Sequence, residues 1–141
     1  MKPETEAKPT PHAPAARGKA HSDLRERTKS FALRIIRVHA ALPKTAEAQI
    51  IGRQLLRCGT SVGAHYREAC RARSNAELVS KLEGGLQELE ESMYWLELLA
   101  EARILRAERL TDLQDEANQL VAIFVCAVKT AKARRGAARR R

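Results

Sequence analysis

The residues best suited to chemistry in this 141-residue chain are its arginines, which fall into two groups. One holds Arg53, Arg57, Arg67, Arg71 and Arg73; the other holds Lys132, Arg134, Arg135, Arg139, Arg140 and Arg141. Clustered guanidinium and ammonium groups neutralise phosphates and release condensed counterions, so both groups are candidate nucleic-acid contacts. Each also has a plainer reading. Cations suit the C-terminal end of a helix electrostatically, so the second group can be a solvated helix end. The first can pair with carboxylates elsewhere in the chain. The rival to RNA or DNA is a protein-interaction module that recruits a partner protein, with the tail only a non-specific electrostatic anchor.

Other chemistry is poorly supplied. His65, Glu68 and Cys70 have metal-ligand side chains, but His65 and Cys70 lie about 140° apart around a helix, at roughly 100° per residue. A di-iron bundle needs Glu-x-x-His on two helices with further inward carboxylates, and here the order is reversed and single. Cys58 and Cys126 have no base at helical spacing to activate them. With no strand there is no glycine-rich phosphate loop after one. These residues predict no catalytic centre, no metal and no cofactor, hence a non-enzymatic protein. The three cysteines form no CxxC pair, and no apolar run reaches membrane-spanning length. With no signal-peptide pattern at the start, a reducing cytoplasm is expected and no membrane.

The formal charge of +9 is unevenly placed. Residues 129–141 carry seven bases and no acid. Residues 23–76 carry 11 bases and 4 acids, and residues 77–128 carry 4 bases and 11 acids. A basic first half therefore faces an acidic second half. Glu83, Glu88, Glu90, Glu91 and Glu97 are expected to meet the arginines of the same subunit or the next. Such pairs fix register more than they add stability.

The elements that must carry these groups are helices. Residues 1–21 hold four of the five prolines and little apolar surface, which predicts a disordered tail. Ser22 then caps a helix over about 22–41, with Thr28, Phe31, Ile35, Val38 and Leu42 on one face. Pro43 stops it. Thr45 caps a second helix over about 45–72, striped by Ile51, Leu55, Val62, Tyr66 and Ala69. Ser74 with Glu77 has capping-box spacing and starts a third over about 75–102. A fourth covers about 108–133, with Leu110, Leu113, Ala117, Leu120, Phe124, Val128 and Ala131 inward, and the basic tail follows over 134–141. The very short corner at residues 72–75 forces an antiparallel hairpin. Four such helices make an all-α, up-down-up-down bundle. Gly52, Gly59, Gly63, Gly84 and Gly85 lie inside helices at about 1 kcal/mol each, which predicts close backbone approach. Trp95, Leu98 and Leu99, with Val121 and Val125, form a second apolar line. Together with Glu88, Glu90 and Glu91 it is the expected interface between subunits.

The runs RCGTSVGAHYREACRARSNAELVSKL and ELEESMYWLELLAEARIL resemble the bacterial four-helix-bundle proteins of the 23S rRNA intervening-sequence family. Arg57, Ser61, Val62, Ala64, Glu68, Ala69, Arg73 and Ser74 match its pattern over a likeness covering about residues 30–133. The chain departs at His65, where the family usually has Asn, and at Gly63, where many members have Pro. The resemblance implies a homopentameric ring of bundles. It also implies a link to ribosomal RNA inserts, or to nucleic-acid-handling partners such as reverse transcriptases.

Overall fold

The computed structural model describes residues 13–139, with side chains placed from 23 to 137. Residues 1–12 of the tail expected over 1–21, and Arg140 and Arg141, lie outside the described residues. Four helices follow in order: α1 (Ala13–Ala40), α2 (Ala46–Cys70), α3 (Asn75–Glu101) and α4 (Ala107–Arg139). Each packs on the next to form an antiparallel bundle, with α2 against α3 the broadest interface and α1 against α4 the narrowest.

The chemistry of the helix ends accounts for most boundaries. Thr45 Oγ1 accepts from the Ala48 amide at 3.4 Å and opens α2. Ser74 Oγ accepts from the Glu77 amide at 3.1 Å and opens α3. Glu77 reaches back as its spacing predicts, but its carboxylate accepts from the Arg73 amide at 3.3 Å, one residue before the cap. The capped turn satisfies amides that the first helical turn leaves bare.

Two ends differ from expectation. Ser22 does not start α1, which reaches back to Ala13. The upstream Ala, Arg and Lys residues are strong helix formers, and Pro14 sits in the first turn, where its missing amide costs nothing. Likewise α4 continues through Gly136 to Arg139; one glycine among Ala and Arg does not outweigh their propensity. At the α3 end Arg103 takes a left-handed φ of 57°, a conformation usually left to Gly or Asn. The Ile104 and Leu105 amides then bond back to the Leu99 carbonyl, at 3.0 and 3.3 Å, which folds Leu105 onto the core.

The predicted stripes and residues of α3 form one core: Phe31, Ile35, Leu55, Val62, Leu89, Leu96, Leu110, Leu120 and Phe124 are all essentially inaccessible. Thr28 is buried too, its hydroxyl donating to the Leu24 carbonyl at 2.8 Å. The glycines do bring backbones together. A Cβ on Gly59 would lie 2.7 and 2.9 Å from the two γ-carbons of Ile35, and one on Gly85 would lie 2.6 Å from Phe124. Ile35 is β-branched and fully buried, so it has nowhere to swing. Gly59→Ala is therefore expected to destabilise the bundle by about 1–3 kcal/mol through overpacking. That net loss survives the roughly 1 kcal/mol gained in helix propensity. Urea unfolding of the variant measures it, and an unchanged midpoint would contradict close packing at this seam.

Candidate nucleic-acid interface

In an antiparallel bundle α2 and α4 run the same way, so their C-terminal ends share one end of the molecule. The two basic groups of the sequence therefore converge. Arg73, just past α2, and Arg134, near the end of α4, line a single cleft of about 630 Å³. That volume lies within the roughly 300–1,000 Å³ typical of ligand-holding clefts. The cleft's sides come from all four helices, with Leu24, Tyr66, Leu78 and Ala127 among its apolar surfaces. Asn75 helps to hold it open in a fixed shape: its side-chain amide donates to the Ala131 carbonyl at 2.7 Å and ties the start of α3 to α4.

Which arginines remain available follows from the ion pairs. Arg57 meets Glu91 at 3.2 Å and Glu88 at 3.8 Å. Lys81 meets Glu68 at 2.6 Å, and Lys132 meets Glu83 at 2.8 Å. Arg27 joins α1 to α4 through Glu116, and its guanidinium also donates to Gln119 at 3.1 Å. The Glu116 bond is the main cause holding the Arg27 pKa above its ordinary value. Hydrogen bonding with Lys81, then its charge, pulls Glu68 below the usual carboxylate range. The basic and acidic halves thus do pair, within one chain. Arg53, Arg67, Arg71, Arg73, Arg134 and Arg135 are exposed and make no ion pair among the described residues. Of the expected nucleic-acid contacts, Arg57 and Lys132 are engaged by carboxylates. Arg53 stands away from the cleft, nearer the start of α2. No side chain is described for Arg139.

The first helix adds cations that were not singled out in the sequence. Lys29 faces Arg67 across a shallow crevice between α1 and α2, lined also by Thr60 and Gly63. The excess of bases over residues 23–76 was the signal for it, although charge alone does not assign a face.

The expected subunit interface is redistributed. Leu99 is fully buried in the chain's own core and has no surface to offer a neighbour; the returning corner at Leu105 covers that end. Glu88 and Glu91 hold Arg57, and Glu90 is exposed. Trp95 and Leu98 are half-buried, and the Trp95 indole N–H is buried without a hydrogen-bond acceptor among the described residues. The large apolar side chains most open to solvent are instead Leu33, Ile36, Ile50 and Tyr94.

Metal-ligating types come together at a place the sequence spacing did not suggest. His65 packs against the bare backbone of Gly84 and Gly85, not with Glu68 and Cys70 in a ligand set. Cys58, Glu88 and Glu91 place one potential ligand atom each within 4.8 Å of one another. The cation at the two carboxylates is the Arg57 guanidinium, and Ser92 Oγ lies 3.2 Å from the thiol sulfur. Burial is the largest cause raising the Cys58 thiol above its ordinary pKa, which suits a small apolar core residue better than a nucleophile.

Fold and charge together define a small helical bundle with exposed arginines grouped at one end. The sequence profile of the 23S rRNA-intervening sequence proteins matches residues 21–125, and the chain belongs to that family. It is similar to a crystal structure from Bacteroides thetaiotaomicron, described as a protein of unknown function from the S23 ribosomal protein family. The two are 29% identical with a TM-score of 0.73, over 77% of this chain and 97% of the other. No curated protein matches the sequence closely enough to count as a relative. Among the described residues no helix is long and apolar enough to cross a membrane.

The thiols give a direct check on the core. Cys70 and Cys126 are exposed and Cys58 is buried. Iodoacetamide at neutral pH is expected to alkylate Cys70 and Cys126 in the folded protein, and Cys58 only after denaturation. Mass spectrometry of the peptides reads the pattern, and rapid native labelling of Cys58 would contradict its placement.

Proposed function

We propose that this protein is a non-enzymatic, RNA-binding helical bundle that works as an assembly of identical copies. The observation that carries the RNA reading is the convergence of Arg73 and Arg134 on one cleft, with Arg67, Arg71 and Arg135 exposed and without ion pairs around that end. Cations already neutralised by carboxylates release few counterions on binding phosphate, whereas unpaired ones contribute fully. The family to which the chain belongs is named for intervening sequences of 23S rRNA, which agrees with structured RNA as ligand.

Assembly into a closed ring, pentameric as the family resemblance implies, is supported by side chains a lone bundle leaves wet. Leu33 and Ile36 on α1 are 44% and 45% exposed, and Tyr94 on α3 is 54% exposed. A head-to-tail ring joins unlike surfaces and can cover both. The same apolar face of α1 favours a second reading, in which the bundle recruits a different protein and the tail is only an electrostatic anchor.

Replacing Arg73, Arg134 and Arg135 by Gln together is expected to lower the slope of log affinity against log salt by about 2–3. Each lost phosphate contact removes roughly 0.7–0.9. Filter binding of a structured rRNA fragment, against excess random-sequence RNA, measures it; an unchanged slope places the RNA elsewhere. Glu90→Arg puts a cation on the exposed face of α3, and the ring reading expects a smaller particle by light scattering. A variant with undiminished mass would sink the role given to α3.

A further inference from the structure

The exposed arginines at the C-terminal end of α2 account for attraction to phosphate, but a flat basic surface would do that equally well. The cleft between them has another property. Its interior is apolar, lined by Leu24, Tyr66, Leu78 and Ala127, while the cations Arg73 and Arg134 stand among its lining residues. A polyanion alone gains nothing from an apolar recess. An unstacked nucleobase does, because its faces are apolar and its flanking phosphates are charged.

We propose that this cleft takes the base of an unpaired ribonucleotide, with Arg73 and Arg134 holding the phosphates on either side of it. The inference rests on the RNA-binding reading and names the feature of RNA that this end reads. Sequence-specific recognition of RNA proceeds chiefly through unpaired, splayed-out bases, and base contacts of this kind discriminate single strands from duplex.

The polar groups of the cleft fit that ligand. The Asn75 side-chain N–H is engaged with the Ala131 carbonyl, which leaves its side-chain oxygen as an acceptor for an exocyclic amine. Thr130 lines the cleft and is exposed, and its hydroxyl makes no hydrogen bond among the described residues. It can donate to a ring nitrogen or carbonyl of the base. The Tyr66 ring is almost wholly buried and meets Phe124 edge-on, with ring centroids 6.1 Å apart. Burial first, and its hydrogen bond with Cys70 second, raise the phenol well above its ordinary pKa. It therefore stays neutral and closes the inner wall without adding charge. A single carboxylate on an aliphatic chain would suit the apolar wall. It would not use Arg67, Arg71 and Arg135 grouped around the same end, whereas a nucleic-acid backbone would.

The test uses the full-length protein at physiological salt and two RNA hairpins of equal length. One has a single bulged 2-aminopurine; in the other the same base is paired. The wild type is expected to bind the bulged hairpin about tenfold more tightly, the scale of one base contact. The 2-aminopurine emission should rise as the base leaves the stack. Thr130→Trp, at an exposed position, fills the cleft without altering charge and should bring the two affinities to within about twofold. Ala127→Phe fills the cleft from one turn earlier on α4 and serves if the first variant is unstable. Equal binding of both hairpins by the wild type overturns the cleft assignment and leaves the electrostatic RNA reading standing. A bulge preference that persists in both filled variants also overturns it. If neither hairpin binds the wild type, the RNA reading and the cleft assignment fall together.

Discussion

The rest of the structure depends on the corner between Cys70 and Asn75. Four residues reverse the chain there, and Ser74 and Glu77 saturate the amides that the reversal exposes. With so little chain available, α3 can only run back along α2. Once it does, α4 must run parallel to α2, and the C-terminal ends of both lie side by side. The meeting of the two basic groups is therefore a consequence of a capped turn and not of any attraction between them. Like charges oppose that meeting. The offset lies in exposure to solvent, which screens the arginines at small cost, and in apolar burial along the helices.

Close helix approach is the second constraint, and it shapes the electrostatics. Gly59 and Gly63 let α1 settle on α2, with Ile35 and Thr28 filling the space a side chain would take. Gly84 and Gly85 do the same for α3 beneath His65 and Phe124. With backbones this near, side chains at the flanks of the α2–α3 contact bridge it directly, as Arg57 does to Glu88 and Glu91, and Lys81 does to Glu68. These surface pairs contribute little stability each. Their larger effect is to decide which cations remain for a partner. Pairing consumes Arg57 in mid-helix, and leaves Arg67, Arg71 and Arg73 free where α2 ends beyond the acidic stretch of α3.

Much of this was legible in sequence because helical periodicity and capping are local. Thr45 and Ser74 cap where their spacing says they should, and the stripes of α2 and α4 pack into the core. The failures are equally physical. Ser22 looks like a cap, yet nothing in a chain of good helix formers obliges the helix to stop there, so α1 continues to Ala13. Leu99 reads as surplus apolar surface because periodicity relaxes after it. The left-handed Arg103 that returns Leu105 over it carries none of the usual glycine signal. Pairing of Arg57 was legible as charge balance but not as an address, since the same acidic helix could serve a neighbouring subunit. The cleft itself was not legible at all. It is assembled from residues as far apart as Leu24 and Arg134, and no single helix announces it.

The number that first suggests nucleic acid, a net charge of +9, is a weak guide by itself, because a neutral folded body with a basic tail would bind polyanions loosely and everywhere. What distinguishes this bundle is the sorting of its charges after folding. Carboxylates of α3 and α4 take up Arg57, Lys132 and Arg27 along the length of the molecule, and among the cations left without an ion pair, Arg73 and Arg134 line an apolar recess at one end. A tail alone would confer affinity that any competitor RNA could remove. A rigid end, with its arginines on helices or in the short capped corner between them and its recess tied by Asn75 to Ala131, presents cations at fixed separations. Fixed separation allows a surface to prefer one shape of RNA over another, because a ligand whose phosphates and base do not match must distort to bind. On the proposed reading, selectivity resides in the α2–α3 corner and its α4 neighbour, and the basic tail contributes attraction without preference.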